Sequence, residues 1–252
     1  MTSYQVTIHI ANNWVQEFDE NGYQLIMAKA VAGGPTGTIY NVVASTGIVT
    51  GTMIVGWTDN YQMTGSTQTF QNGGTVNSVH PRDGRRPDAK TVEITGLSAL
   101  EPIKFGQTYY LKSWSEYNVA TDPSDPPNGF GFKNTPPASV VLTLDVGGEY
   151  TPGMLNLTMH SPTHQVGTDV QAVYISPLEL PPGKATIIPL PKVAFWFEAN
   201  LSTSTMVVVD QSTIFEVDMS DAKPKDISYD ENGAWHNNSG KHIHYVRPKP
   251  EH

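Results

Sequence analysis

Apolar residues recur at every second position in short runs along the chain: YQVTIHI, YQLIMAKAV, TIYNVVA, TVEIT, TYYLKSW, SVVLTLDV, MLNLTM, DVQAVYI, KVAFWFEA, TMVVVD and TIFEVDM. Successive side chains of a strand point to opposite faces, so a period of two marks a strand with one buried and one wetter side. The runs are rich in β-branched and aromatic residues and are closed by Gly, Pro, Asn or Asp, while no window of ten or more residues carries a capped 3.6-residue period. The pattern predicts an all-β protein, an antiparallel β-sandwich or barrel.

The strand pattern breaks at TDPSDPPNGFGFKNTPPAS, residues 121–139, where five prolines and two glycines forbid a continuous ladder. This predicts two β domains, 1–121 and 139–252, joined by a linker or long loop at 122–138. The alternative is one large sandwich with long Pro-rich loops, which a second such stretch, SPLELPPGKATIIPLPK, also suits. DENG occurs at 19–22 and 230–233 and reads as a repeated turn, because Asn and Gly accept positive φ.

One stretch, IVTGTMIVGWTDNYQMTGSTQTF at 48–70, has Asp59 as its single charged side chain. Val49, Met53, Val55, Trp57, Tyr61 and Met63 alternate with polar residues, and a three-residue loop Thr58-Asp59-Asn60 would place Trp57 opposite Tyr61. Such a neutral hairpin suits one core face and one wet face, and it also resembles what β pore-formers insert into a bilayer.

Composition narrows the classes. The 252 residues suffice for a substantial core, and a net charge of -9 argues against nucleic acid as a partner, because phosphate binding needs a surplus of Lys and Arg. The absence of cysteine removes disulfides and thiolate chemistry. MTSYQVTIHIANNW lacks the basic and apolar regions of a signal peptide, and no apolar run reaches the length of a transmembrane helix. A cytoplasmic protein, or one released without a signal peptide, is the expectation.

No nucleophile elbow, phosphate loop, dinucleotide fingerprint, His-Glu-x-x-His or EF-hand loop is present. His242 and His244 share a face if their segment is a strand, and with His236 they could converge on a divalent metal. His9, between apolar neighbours, reads as a hydrogen-bonded structural histidine. Arg82, Arg85 and Arg86 concentrate positive charge in HPRDGRRPDAK, a loop suited to an anionic group or to internal ion pairs.

Aromatic and amide residues crowd ANNWVQEFDENGY, WTDNY, WSEYN and ENGAWHNNSG. Sugar sites use this combination, because a ring plane covers the apolar face of a pyranose while Asn and Asp satisfy its hydroxyls. Trp14, Trp57, Asp59, Asn60, Tyr61, Trp114 and Trp235 are the ligand-binding candidates, with Arg82, Arg85 and Arg86 beside them. The expectation is a non-enzymatic binder of glycans or membrane surfaces, with 48–70 as a membrane-active element. Two enzyme alternatives stand beside it. One is a β enzyme without organic cofactor, of cyclase, isomerase or hydrolase type, acting on an apolar small molecule in an aromatic- and Met-lined pocket. The other is a His-ligated metal enzyme.

Overall fold

The computed structural model describes residues 2–33, 37–76, 97–147, 169–210 and 212–239. The largest sheet runs β11 (Asp169–Ile175), β10 (Ser139–Gly147), β5 (Thr52–Ser66), β1 (Ser3–Ile10), β15 (Lys225–Tyr229) and β16 (Trp235–Asn237), with β6 (Glu101–Ile103) also on β5. A second sheet runs β12 (Gly183–Ile187), β9 (Phe130–Asn134), β7 (Gln107–Ser113) and β8 (Glu116–Thr121). The third runs β14 (Phe215–Asp218), β13 (Pro189–Ala199), β2 (Tyr23–Ala32) and β3 (Thr38–Ile39), with β4 (Val43–Ile48) also on β2.

The fold is an all-β sandwich, and none of the described sheets closes into a barrel. The sheets are mixed rather than purely antiparallel. β1 runs parallel to β15, and β9 parallel to β7, because residues 122–129 carry the chain back across the sheet after the β7–β8 hairpin.

One face of the large sheet supplies Val6, Ile8, Met53, Val55, Val140, Leu142 and Ile227 to the main core. Leu25, Met27, Val193 and Phe195 of the third sheet and Tyr109, Leu111, Phe130 and Phe132 of the second meet them there. Alternation therefore works as the sequence implies: odd positions of β2 face this core, and Ile26, Ala28 and Ala30 face a separate outer cluster.

Strands from either side of 122–138 share hydrogen bonds in β1–β15, β5–β10 and β2–β13, and 122–138 itself contains β9. The division of the chain at this stretch does not coincide with a division of the sheets. Its conformation is set by charge. Lys184 on β12 pairs with Asp122 at 2.8 Å and Asp125 at 2.7 Å, and the Thr108 hydroxyl donates to Asp125.

Residues 48–70 do not form a hairpin. Thr52–Ser66 is one continuous strand, paired through residues 52–58 with β1 and through residues 56–66 with β10. Its neutrality follows from a central place in the sheet, where a charge would have to be desolvated on both flanks. The proposed loop is a bulge: Leu144 pairs with Tyr61 and Asp145 with Thr58, so the register to β10 steps over residues 59 and 60. The Asp59 amide instead donates to the Thr2 carbonyl at 2.9 Å.

A helix was not expected, yet α1 (Asn12–Glu20) links β1 to β2. It has nine residues, no side-chain N-cap, no acid in its first turn and no base in its last, so its sequence carries none of the usual signals. Packing holds it, through Trp14 and Phe18 stacked one turn apart. TMVVVD also departs from expectation. It makes isolated bridges at Thr205 and Met206, while Val207 covers the outer cluster and Met206 packs with Val42, Val141, Ala172 and Ile175. TVEIT and MLNLTM lie outside the described residues.

Candidate functional site

Helix α1 carries the chain from the large sheet to the third sheet across one end of the sandwich, and aromatic rings converge there. Trp14 and Phe18 come from α1, Tyr23 from β2, Phe197 from β13, Phe215 from β14, Tyr229 from β15 and Trp235 from β16. Trp235 stacks on Phe197 at 5.2 Å and on Phe215 at 5.3 Å, with interplanar angles of 9° and 11°. Trp14 meets Tyr229 edge-on at 5.5 Å, and Tyr229 lies 5.0 Å from Trp235. Phe18 is buried at the centre, Trp14, Phe197, Phe215, Tyr229 and Trp235 are half-buried, and Tyr23 is exposed.

Two of the sequence candidates, Trp14 and Trp235, are thus brought into one cluster although more than two hundred residues separate them. The second DENG turn fits them together. Asp230 accepts the amides of Asn232 and Ala234, both at 2.9 Å, and its other oxygen meets the His236 ring at 2.8 Å. Gly233 takes φ +79°, and a Cβ there would come within 3.1 Å of Trp14 and 3.2 Å of the Tyr229 hydroxyl. The first DENG turn ends α1 in the same way, with Gly22 at φ +68°.

Beside the rings lies an open depression of about 570 Å³ lined by Ile10, Ala11, Asn12, Asn13 and Glu231. The Ala11 amide donates to the Tyr229 carbonyl at 3.0 Å and Asn13 Nδ2 donates to the Glu231 carbonyl at 3.2 Å, tying the helix start to the 230–233 turn. The surroundings are electronegative. The Tyr229 phenol is pushed up first by burial and then by Asp230 and Glu17, while the Ala234 amide and the His236 ring hold the Asp230 carboxyl below its usual range.

A second polar group lies at the β5 bulge. Asp59 accepts Tyr4 Oη at 2.9 Å and Tyr61 Oη at 3.1 Å, and Tyr4 stacks on Trp57 at 5.2 Å. Trp57 and Tyr61 are each 3% exposed, so they are core residues and offer a glycan no surface. Facing them from β2 is Lys29, 2% exposed, whose ammonium donates to the Leu190 carbonyl. That carbonyl lies where β13 shifts register against β2, between Pro189 and Val193. Burial lowers the Lys29 pKa from its ordinary 10.5 to about 8, against the opposing effect of Asp59. Asp59 stood among the sequence candidates as a loop residue, whereas Lys29, inside an apolar run, did not stand out.

The remaining candidates fall elsewhere. Trp114 occupies the β7–β8 turn, in a different sheet. Asn60 sits half-buried in the bulge. Arg82, Arg85, Arg86, His242 and His244 lie outside the described residues. His236 is engaged by Asp230, and among the described residues no group of three His, Asp or Glu side chains could hold a metal. His9 bridges Thr52 on β5 at 3.3 Å and Asp226 on β15 at 3.1 Å, the structural role its neighbours imply. Among the described residues no helix is long and apolar enough to cross a membrane. No family model matches the chain, and neither a curated protein nor a solved structure matches it at a significant level.

Proposed function

We propose that the protein is a carbohydrate-binding β-sandwich whose sugar site is the aromatic end around Trp14, Tyr229 and Trp235. The observation that carries this reading is the half-buried ring cluster together with an adjoining depression lined by Ile10, Ala11, Asn12, Asn13 and Glu231, joined to the rings by the Ala11–Tyr229 hydrogen bond. A fully buried ring has no face to give, and a lone exposed ring lacks orientation. Rings fixed by stacking on one another present an apolar surface at low entropic cost, and the adjacent amides supply both donors and acceptors for hydroxyls.

Isothermal titration with neutral cello-, galacto- and chito-oligosaccharides tests it. Trp235→Ala and Asn13→Ala should each weaken the best ligand at least about tenfold, a loss on the scale of one aromatic contact or buried hydrogen bond. Trp114→Ala should leave binding unchanged. Absence of heat with every sugar, or an equal loss in the Trp114 variant, rejects the site.

A second reading, a cofactor-free enzyme for an apolar small molecule, is favoured by Lys29, because a buried amine with a lowered pKa is a recurrent feature of catalytic sites. It requires the amine to react. Borohydride trapping with a small aldehyde should then label Lys29 in the folded protein and fail in Lys29→Met; an unlabelled wild-type protein rejects this reading.

A further inference from the structure

We infer that the aromatic end takes saccharides that are neutral or carry an amine, and rejects uronic, sialylated and sulfated ones. This rests on the glycan reading above and adds the charge class of the ligand. Glu17 lies one helical turn beyond Trp14, Asp230 directly follows Tyr229, and Glu231 walls the depression. Asp230 organises the turn whose Gly233 packs against Trp14 and the Tyr229 hydroxyl, and both Asp230 and Glu17 add to the effect of burial in raising the Tyr229 phenol.

Positive charge does not offset them among the described residues. α1 contains no Lys or Arg, Lys225 is held by Asp221 at 2.8 Å, and Lys192 on β13 is held by Glu216 at 2.6 Å. Lys223 lies close enough to Asp221 to help lower that carboxyl, and the His236 ring is engaged by Asp230. A sugar carboxylate or sulfate entering this depression would meet Glu231 on its wall, with Asp230 next to it in the turn and Glu17 one helical turn beyond Trp14. An ammonium would meet the same groups with attraction. At a separation of about 4 Å in a water-like dielectric, each such contact changes affinity about fivefold in either direction.

The experiment compares three probes of similar length on the full chain: chitosan oligosaccharide bearing amines, chitin oligosaccharide bearing neutral acetamides, and oligogalacturonate. Affinities are measured at about 20 mM and about 500 mM salt, because screening at high ionic strength should collapse a charge effect. The expected order is amine, then neutral, then acidic, with about tenfold or more between the ends at low salt. The double substitution Glu17→Gln with Glu231→Gln changes two exposed side chains and should compress that span at least about threefold. Oligogalacturonate binding as tightly as the amine, and lost in Trp235→Ala, overturns this inference and leaves the glycan site standing. An order unaffected by salt and by the double substitution also overturns it. Failure of all three probes overturns the glycan reading itself.

Discussion

Replacing Lys29 by Met should change the pH dependence of stability more than any other single substitution in the core. The ammonium is 2% exposed and its pKa falls from 10.5 to about 8 on folding, through burial. Between these values the unfolded chain binds more protons than the folded one, so stability rises with pH across that window. Below pH 8 the whole penalty is present, about 3 kcal/mol at roughly 1.4 kcal/mol per pKa unit. At pH 9.5 the unfolded lysine is still mostly charged and the folded one is mostly neutral, which leaves a penalty of about 1 kcal/mol. The wild-type protein should therefore gain about 2 kcal/mol on Lys29→Met between pH 7 and pH 9.5. Urea unfolding of both proteins at both pH values measures this, and the double difference cancels tyrosine ionisation and the packing change at Met. A difference that stays within about 0.5 kcal/mol across the two pH values refutes the argument, because it would mean that Lys29 titrates alike in both states.

Three further outcomes follow from the same geometry. Gly233→Ala places a Cβ at 3.1 Å from Trp14 in a left-handed backbone, and should lower stability by about 1–2 kcal/mol while disturbing the ring cluster, read by near-ultraviolet circular dichroism. The Tyr4 phenol is pushed up to about 12 by burial and Asp59, so its stabilisation holds below pH 10 and is lost as pH rises through 12; spectrophotometric titration of Tyr4→Phe should lose one late-ionising phenol. Hydrogen exchange should find the Gly56–Thr58 amides among the slowest in the chain, since this part of β5 is paired with both β1 and β10; rapid exchange there would restore a mobile hairpin.

Periodicity revealed the strands because alternation is a local property, and β1, β2, β7, β10, β11 and β13 stand where their runs predict them. It failed where the partner lay far away. Residues 52–66 alternate equally well as a hairpin or as one strand, and only β1 and β10, contributed by distant segments, decide between the two. Helix α1 escaped notice because its support is Phe197 and Tyr229 rather than caps of its own. The site was legible in part. Trp14 and Trp235 stood out as aromatic residues among amides, whereas Phe197 and Phe215 looked like ordinary strand residues until the third sheet placed them under Trp235. Trp57 and Tyr61 carried the same letters as a sugar site and became core, because burial depends on which face of the sheet is covered.

The five tryptophans allow the central claim to be read in one titration. In a ¹H–¹⁵N spectrum, a neutral or amine-bearing oligosaccharide that binds the aromatic end should shift the indole signals of Trp14 and Trp235 together and saturably. Those of Trp57, Trp114 and Trp196 should stay in place. Saturable shifts confined to Trp114, or none at any indole across the whole sugar panel, would contradict the account.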